Sequence, residues 1–439
     1  MLITLSTVNP FLNTSSASAL TTSTSMSKAT STPTIINTKT YNLNITGSSD
    51  TSLQFQKMIN AYPNGTTLKL PKGIYKFVSS VILKDGMKLI ASSDVTIIGT
   101  GNNTLFSTDN SNSFQGINFQ NCATAISVFR KTGLSVIGCK FTNNISYAAI
   151  NLYGTSGSSV TSSYFSDIRK YGILIDDNSS NIKIDKNNFT NAKVYGGYKT
   201  EQIGGHIYCL SGTKIIVTNN ILKNSGGQGL IFAYNSTTGK GTTSSIASNN
   251  QSLGNGQEGI TVYGGSKKVT SGNSVIGNTC KNNRFNQIEI WQSNNNIVRN
   301  NIVDESVAGT GNLGSICLFS TINSSVTGNK ILSSQSNGIA IVAGTLRCNV
   351  SSNIITNTNR KNNIRTPEKG NGILLDWNGV ADPEYITMVN NKITSSKGTI
   401  AKSAIYSTSN KNHHNIIRGT AVKGYKYGVH SYALSTCQK

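Results

Sequence analysis

"GGHIYCLSGTKIIVTNNILKNSGGQGLIFAY", residues 204–234, reads as two short apolar strands, "GHIYCL" (205–210) and "QGLIFAY" (228–234), with an Asn-rich turn between them at Asn219-Asn220-Ile221. An Asn, a second residue and then an apolar one return throughout the chain: Asn187-Asn188-Phe189, Asn278-Thr279-Cys280, Asn300-Asn301-Ile302, Asn329-Lys330-Ile331, Asn353-Ile354-Ile355, Asn391-Lys392-Ile393 and Asn415-Ile416-Ile417. Cys139 and Ser163 stand in for the Asn in earlier copies, and Asn249 marks a degenerate one. The markers lie about 22 to 38 residues apart, one structural turn per interval with insertions.

Each interval also carries a strand: "YGILIDD" (171–177), "EGITVYG" (258–264), "NQIEIWQ" (286–292), "GSICLFS" (314–320), "NGIAIVA" (337–343) and "NGILLDW" (371–377). Setting Ile173, Ile207, Leu230, Ile260, Ile288, Ile316, Ile339 and Ile373 level stacks the aliphatic residues into one continuous core. Inward Asn at the bends then hydrogen-bonds the next turn. The pattern predicts an all-β chain: a single-stranded right-handed parallel β-helix of about eleven or twelve coils. The L-x-x-L-x-L signature of leucine-rich repeats is absent, and a propeller blade needs a longer repeat.

Composition agrees. Only 13% of the 439 residues are charged and Pro falls to 6, while Gly, Asn, Ser and Thr abound, which favours short strands joined by tight turns. The formal charge of +22 suits a polyanionic partner: an acidic polysaccharide or another anionic cell-surface polymer. Nucleic acid is the weaker expectation, because the basic residues form no compact patch interleaved with aromatics. The 7 cysteines show neither CxxC pairs nor metal-ligand spacing and read as small buried hydrophobes. No run of about eighteen apolar residues is present, so no transmembrane segment is expected. The opening "MLITLSTVNPFLNTSSASAL" has a short apolar segment and a signal-peptidase-like Ala17-Ser18-Ala19 but no basic n-region. We therefore expect a secreted or cell-surface protein, with residues 1–44 a signal remnant and Ser/Thr-rich leader and 45–439 the β-helix domain.

Ahead of the coil, "SSDTSLQFQKMINAYPNGTTLKLPKGIYKF" (48–77) offers a capping Ser49 or Asp50, a short helix with apolar Leu53, Phe55, Met58 and Ile59, then a Gly turn and a strand. Here the sequence resembles the pectate-lyase-like superfamily of β-helix proteins, in which such a helix closes the N-terminal end. The resemblance spans roughly residues 45–430 and specifies fold more than activity. It implies a scaffold shared by polysaccharide lyases, glycoside hydrolases, uronan epimerases and tailspikes.

Outward residues on stacked strands form a groove that advances about 4.8 Å per turn and suits an extended polymer. Polar and aromatic residues concentrate between 205 and 292, and insertions at 193–205, 236–245, 305–314 and 359–371 are expected to wall a cleft. The candidate catalytic residues are His206, Tyr208, Glu258 and Glu289. The candidate substrate-binding residues are Gln228, Tyr234, Tyr263, Lys267, Gln287, Trp291 and Asp376.

Residues 204–234 are similar to the polygalacturonase stretch that carries an Asp-Asp pair and a Gly-Gly-His-Gly turn, but Gly205-His206, Gln228 and Thr261-Val262-Tyr263 replace the residues the hydrolysis uses. That activity is therefore not expected. Asp176-Asp177 is a start for calcium, yet no acid lies on the neighbouring strands, so no metal or other cofactor is assigned. Elimination on a uronate needs a group to neutralise the carboxylate and a base, roles open to His206, Tyr208, Gln228 and Lys267. A hydrolase needs a carboxylate pair, for which Glu258, Glu289 and Glu201 are at hand. The leading expectation is an extracellular carbohydrate-active enzyme, a lyase cutting an acidic polysaccharide by β-elimination. A glycoside hydrolase and a non-catalytic tailspike- or adhesin-like binder are the alternatives. His413-His414 read as surface or cap residues.

Overall fold

The computed structural model describes residues 34–37, 39–193, 204–306, 313–358, 370–396, 403–409, 411, 413–430 and 437–438. All of them belong to one compact unit, Pro33–Lys439. The chain winds as a coil with three parallel sheets. One runs from Thr34–Ile35 to Cys437–Gln438, a second from Thr46–Asp50 to Ala421–Lys423, and a third from Val81–Ile82 to Tyr427–His430. Each strand pairs in parallel with its equivalent one turn on. The level read from the sequence is the observed register: Ile173 pairs with Ile207, Ile207 with Leu230, Leu230 with Ile260, Ile260 with Ile288, Ile288 with Ile316, Ile316 with Ile339 and Ile339 with Ile373. All of these side chains are buried.

The Asn repeat is a hydrogen-bonded ladder inside the bend between the first and second sheets. Backbone N–H groups of Asn187, Asn220, Asn250, Asn278, Asn301, Asn329 and Asn353 each donate to Oδ1 of the next rung, ending at Asn391, over 2.8–3.0 Å. Cys139 and Ser163 extend it towards the N-terminus, with N–H donated from Cys139 to Ser163 Oγ and from Ser163 to Asn187 Oδ1. Buried amides left unpaired cost about 1–3 kcal/mol each, so the ladder repairs a bend that no strand pairing satisfies.

Where two Asn adjoin, their roles differ. Asn219, Asn249 and Asn300 take a left-handed backbone, at φ 56°, 53° and 55°, and the following Asn is the rung. The marker assigned to Asn219, Asn249 and Asn300 is thus one residue early, and Ile221 and Ile302 are exposed instead of inward. Asn415 serves a parallel ladder, accepting from Ile386 N–H at 2.8 Å.

Phe119, Phe141, Phe165 and Phe189 stack inside the coil with centroids 5.1, 4.7 and 4.2 Å apart. Helix Ser52–Ala61 covers the N-terminal end with Phe55, Met58 and Ile59 buried, whereas Leu53 faces solvent. Asp50, not Ser49, organises its start, accepting from Ser52 N–H at 2.9 Å and Ser52 Oγ at 2.6 Å. Thr34–Ile35 pairs in parallel with Leu68–Lys69 and Ile36 and Leu43 are buried, so packing begins within the stretch read as leader. Cys122, Cys139, Cys209, Cys280, Cys317 and Cys348 are buried and free. No helix among the described residues is long and apolar enough to cross a membrane.

Candidate active site

The third sheet positions the site. Its strands alternate beyond the level Ile or Leu, so that Leu174, Tyr208, Ile231, Thr261, Glu289, Cys317, Ala340, Leu374 and Tyr406 form one outward row in register. Thr261 and Glu289 are polar members of an otherwise largely apolar row. Apolar clusters flank them, one around Tyr171, Leu174, Tyr208 and Ile231, the other around Cys317, Ala340, Val342 and Leu374.

Glu289 is 6% exposed, and its Oε1 accepts from Asn286 Nδ2 at 2.6 Å. Glu258, half-buried just before strand Ile260–Tyr263, accepts at Oε2 from Gln228 Nε2 at 3.4 Å. Burial lifts both carboxyls above the ordinary carboxylate range, and the Glu258 charge lifts Glu289 further, so that Glu289 is displaced well above it. The same two charges, after burial itself, raise the Cys317 thiol, which is no thiolate nucleophile. Tyr208 is pushed up chiefly by burial, with smaller contributions from Tyr171, Tyr263 and Glu258.

Beside this row runs an aromatic ladder. Centroids are 5.3 Å apart for Tyr234 and Tyr263, 5.4 Å for Tyr263 and Trp291, and 5.2 Å for Trp291 and Phe319. Tyr234 reaches it from a hairpin in which Tyr234–Asn235 pairs antiparallel with Lys240–Thr243, the only one of the four wall insertions described in full. Three polar atoms in this neighbourhood are buried without a partner: Gln228 Oε1, Thr261 Oγ1 and Trp291 Nε1.

Two of the expected site residues face the wrong way. His206 points into the coil, with Nε2 2.9 Å from Lys223 O and its ring 5.7 Å from Phe189, and burial lowers its pKa to about 4. Gln287 is also internal. Its Oε1 accepts from Asn283 N–H at 3.0 Å and its Nε2 donates to Asn283 O at 2.9 Å, ending the ladder that starts at Ser225 and Asn255. Strict alternation from Ile207 and Ile288 placed both outside, but in these two turns the residue before the level Ile faces the interior as well. Asp376 lies three strands beyond Trp291 in register, about 14 Å along the coil, and accepts from Thr408 Oγ at 2.7 Å. Lys267 is exposed. Glu201 lies outside the described residues.

The Asp176 carboxylate is occupied by Ser211 Oγ at 2.9 Å and by Asn235 Nδ2 at 2.9 and 3.1 Å, and Asp177 pairs with Arg130 at 3.4 Å. At the C-terminal end, Ser409 Oγ lies 2.8 Å from His413 Nε2, and His413 Nδ1 lies 3.1 Å from Glu384 Oε1. This has the spacing of a charge relay. Asp382 Oδ2, however, accepts the Ser409 hydroxyl proton at 3.0 Å and also meets Nε2 at 3.1 Å. The hydroxyl is tied to a carboxylate and the histidine clasps neighbouring turns.

The sequence matches the family described as right handed beta helix region over residues 79–244 and 238–422. The chain belongs to that family. Among solved structures it is similar to bacteriophage phi29 gene product 12 in its pre-mature form, at 10% identity and TM-score 0.70, covering 90% of this chain and 57% of that one. The chain thus spans little more than half the phage protein's length. It is also similar to the catalytic unit of a thermostable GH87 α-1,3-glucanase from Streptomyces thermodiastaticus, at 14% identity and TM-score 0.57, covering 90% and 69%. A third similarity is to PfbA, a surface adhesin of Streptococcus pneumoniae, at 14% identity and TM-score 0.52, covering 90% and 91%. These likenesses are of fold. No curated protein sequence matches the chain.

Proposed function

We propose that this β-helix protein hydrolyses a glycan with Glu258 and Glu289. The observation that carries this reading is the carboxylate pair on consecutive turns, with the pKa of the more buried member, Glu289, raised by burial and then by the other's charge. Glu289, the more strongly displaced, gives its proton to the glycosidic oxygen. Glu258, nearer solvent, works ionised, as the nucleophile or as the base that activates water. Asn286 orients the acid, and Tyr263 and Trp291 offer faces for sugar rings.

Hydrolysis is better supported than elimination. Elimination loses His206 to the coil interior, and the site sets two carboxylates where a uronate substrate needs a cation. The α-1,3-glucanase shares the scaffold. The aromatic ladder independently favours a second reading, a binder that grips a glycan without cutting it, as the adhesin's presence on this scaffold also suggests. On either reading the protein acts outside the cell or at its surface. Incubation with neutral glycans and uronans, scoring new reducing ends and ultraviolet-absorbing unsaturated ends separately, tests the proposal. Reducing ends alone are expected. Unsaturated ends indicate a lyase, and retention in affinity gels without either signal indicates binding alone.

A further inference from the structure

The three orphaned atoms beside the glutamates have a chemistry of their own. Gln228 spends its Nε2 on Glu258 and leaves Oε1 buried as an acceptor without a donor. Thr261, 3% exposed and in register with Glu289, leaves its hydroxyl unpaired. Trp291, two residues beyond Glu289 on the same face, leaves the indole N–H without an acceptor. Unmade hydrogen bonds of this kind cost about 1–3 kcal/mol each, so the site is built to be completed by something that both donates and accepts.

A carboxylate cannot do this: it only accepts, so it leaves Gln228 Oε1 unsatisfied. It also sets a second negative charge beside Glu258, against the buried Glu289 carboxyl, and no lysine or arginine among the described residues acts on either. A sugar hydroxyl does both jobs at no charge cost, and it is the group a ring stacked on Tyr263 and Trp291 presents at its edge.

We propose that the sugar unit bound between Glu258, Thr261, Glu289 and Trp291 is a neutral hexose, and that uronate units are rejected there despite the protein's net charge of +22. This deepens the hydrolase reading and rests on it for the role of the glutamates, but not for the recognition. The cationic surface belongs to long-range attraction, whereas discrimination at the site is set by unpaired buried atoms.

The test is tryptophan fluorescence titration in a Trp377→Phe background, which removes the exposed second indole and leaves Trp291 as reporter. The probes are neutral gluco- and manno-oligosaccharides and, at equal length, oligogalacturonates and oligomannuronates. At least one neutral series is expected to saturate the signal with the uronates at least tenfold weaker. The Thr261→Val variant should lose five- to tenfold in affinity for the neutral probe at an unchanged melting temperature, and Glu258→Gln should narrow the gap between the classes. Uronates binding as tightly as neutral probes, or no neutral probe binding at all, overturns the inference. Reducing ends and unsaturated ends are both scored on the same samples. Neutral binding without cleavage sinks hydrolysis and keeps the inference, cleavage of a uronan to reducing ends without unsaturated ends sinks the inference and keeps hydrolysis, and unsaturated ends from a uronan sink both.

Discussion

Burial first, and then the charge of Glu258 on the preceding turn of the third sheet, raise the pKa of Glu289. Two carboxyls in a water-poor setting cannot both ionise cheaply, and the one with less solvent keeps its proton. The proposed chemistry depends on that inequality.

It has a consequence for stability. A carboxyl whose folded pKa is raised contributes its stabilisation below the unfolded value and loses it as pH rises through the folded value. Glu289→Gln therefore raises the melting temperature above pH 7, and the gain shrinks towards pH 4. Calorimetry across that interval checks it, and a variant less stable than the parent at pH 8 contradicts the electrostatics.

Activity follows the same groups. Removing a positioned acid or base costs about 10²–10⁴-fold in rate, so Glu258→Gln and Glu289→Gln should each fall by that much. The parent's pH–rate profile should have both limbs displaced above the ordinary carboxylate range near about 4.3. Because Glu289 acts protonated, the alkaline limb is its own and should disappear in Glu289→Gln.

His206 gives the opposite sign. Its pKa is lowered from 6.5 to about 4 by burial, so its contribution is present above 6.5 and is lost as pH falls towards 4. His206→Phe, which continues the stack beyond Phe189, should keep glycan binding and flatten the loss of stability across that window. Denaturant melts from pH 7 to 4 read both.

The Asn ladder sets the cost of a broken rung. Asn301 accepts from Asn278 N–H at 2.8 Å, and its Nδ2 donates to Val275 O and Asn329 Oδ1, each at 2.9 Å. Asn301→Ala leaves several buried groups unmet and should destabilise by about 2–4 kcal/mol. The exposed, left-handed Asn300→Gly should cost almost nothing. Urea unfolding of the two variants separates the roles.

These contrasts show what was legible in the sequence. The core register could be read residue by residue, because Ile173 through Ile373 must face one interior and a slip of one would turn every side chain to the other face. That Glu258 and Glu289 come from adjacent turns could also be read from the repeat spacing. Period-two reasoning failed at His206 and Gln287, where the residue before the level Ile also turns inward. It also missed Asn286 and Cys317, which stand beside Glu289 through the fold and not through any motif. Asn219 and Asn300 misled for a related reason: one residue type serves both a left-handed turn and a buried rung, and only the hydrogen bonds tell the two apart.

The carboxylate-pair account is tested most directly by mass analysis of products formed from a neutral glycan in oxygen-18 water. Hydrolysis by Glu258 and Glu289 predicts one labelled oxygen at each new reducing end with the parent protein and none above background with Glu289→Gln. Unlabelled unsaturated products, or labelled ends formed equally well by Glu258→Gln and Glu289→Gln, would contradict it.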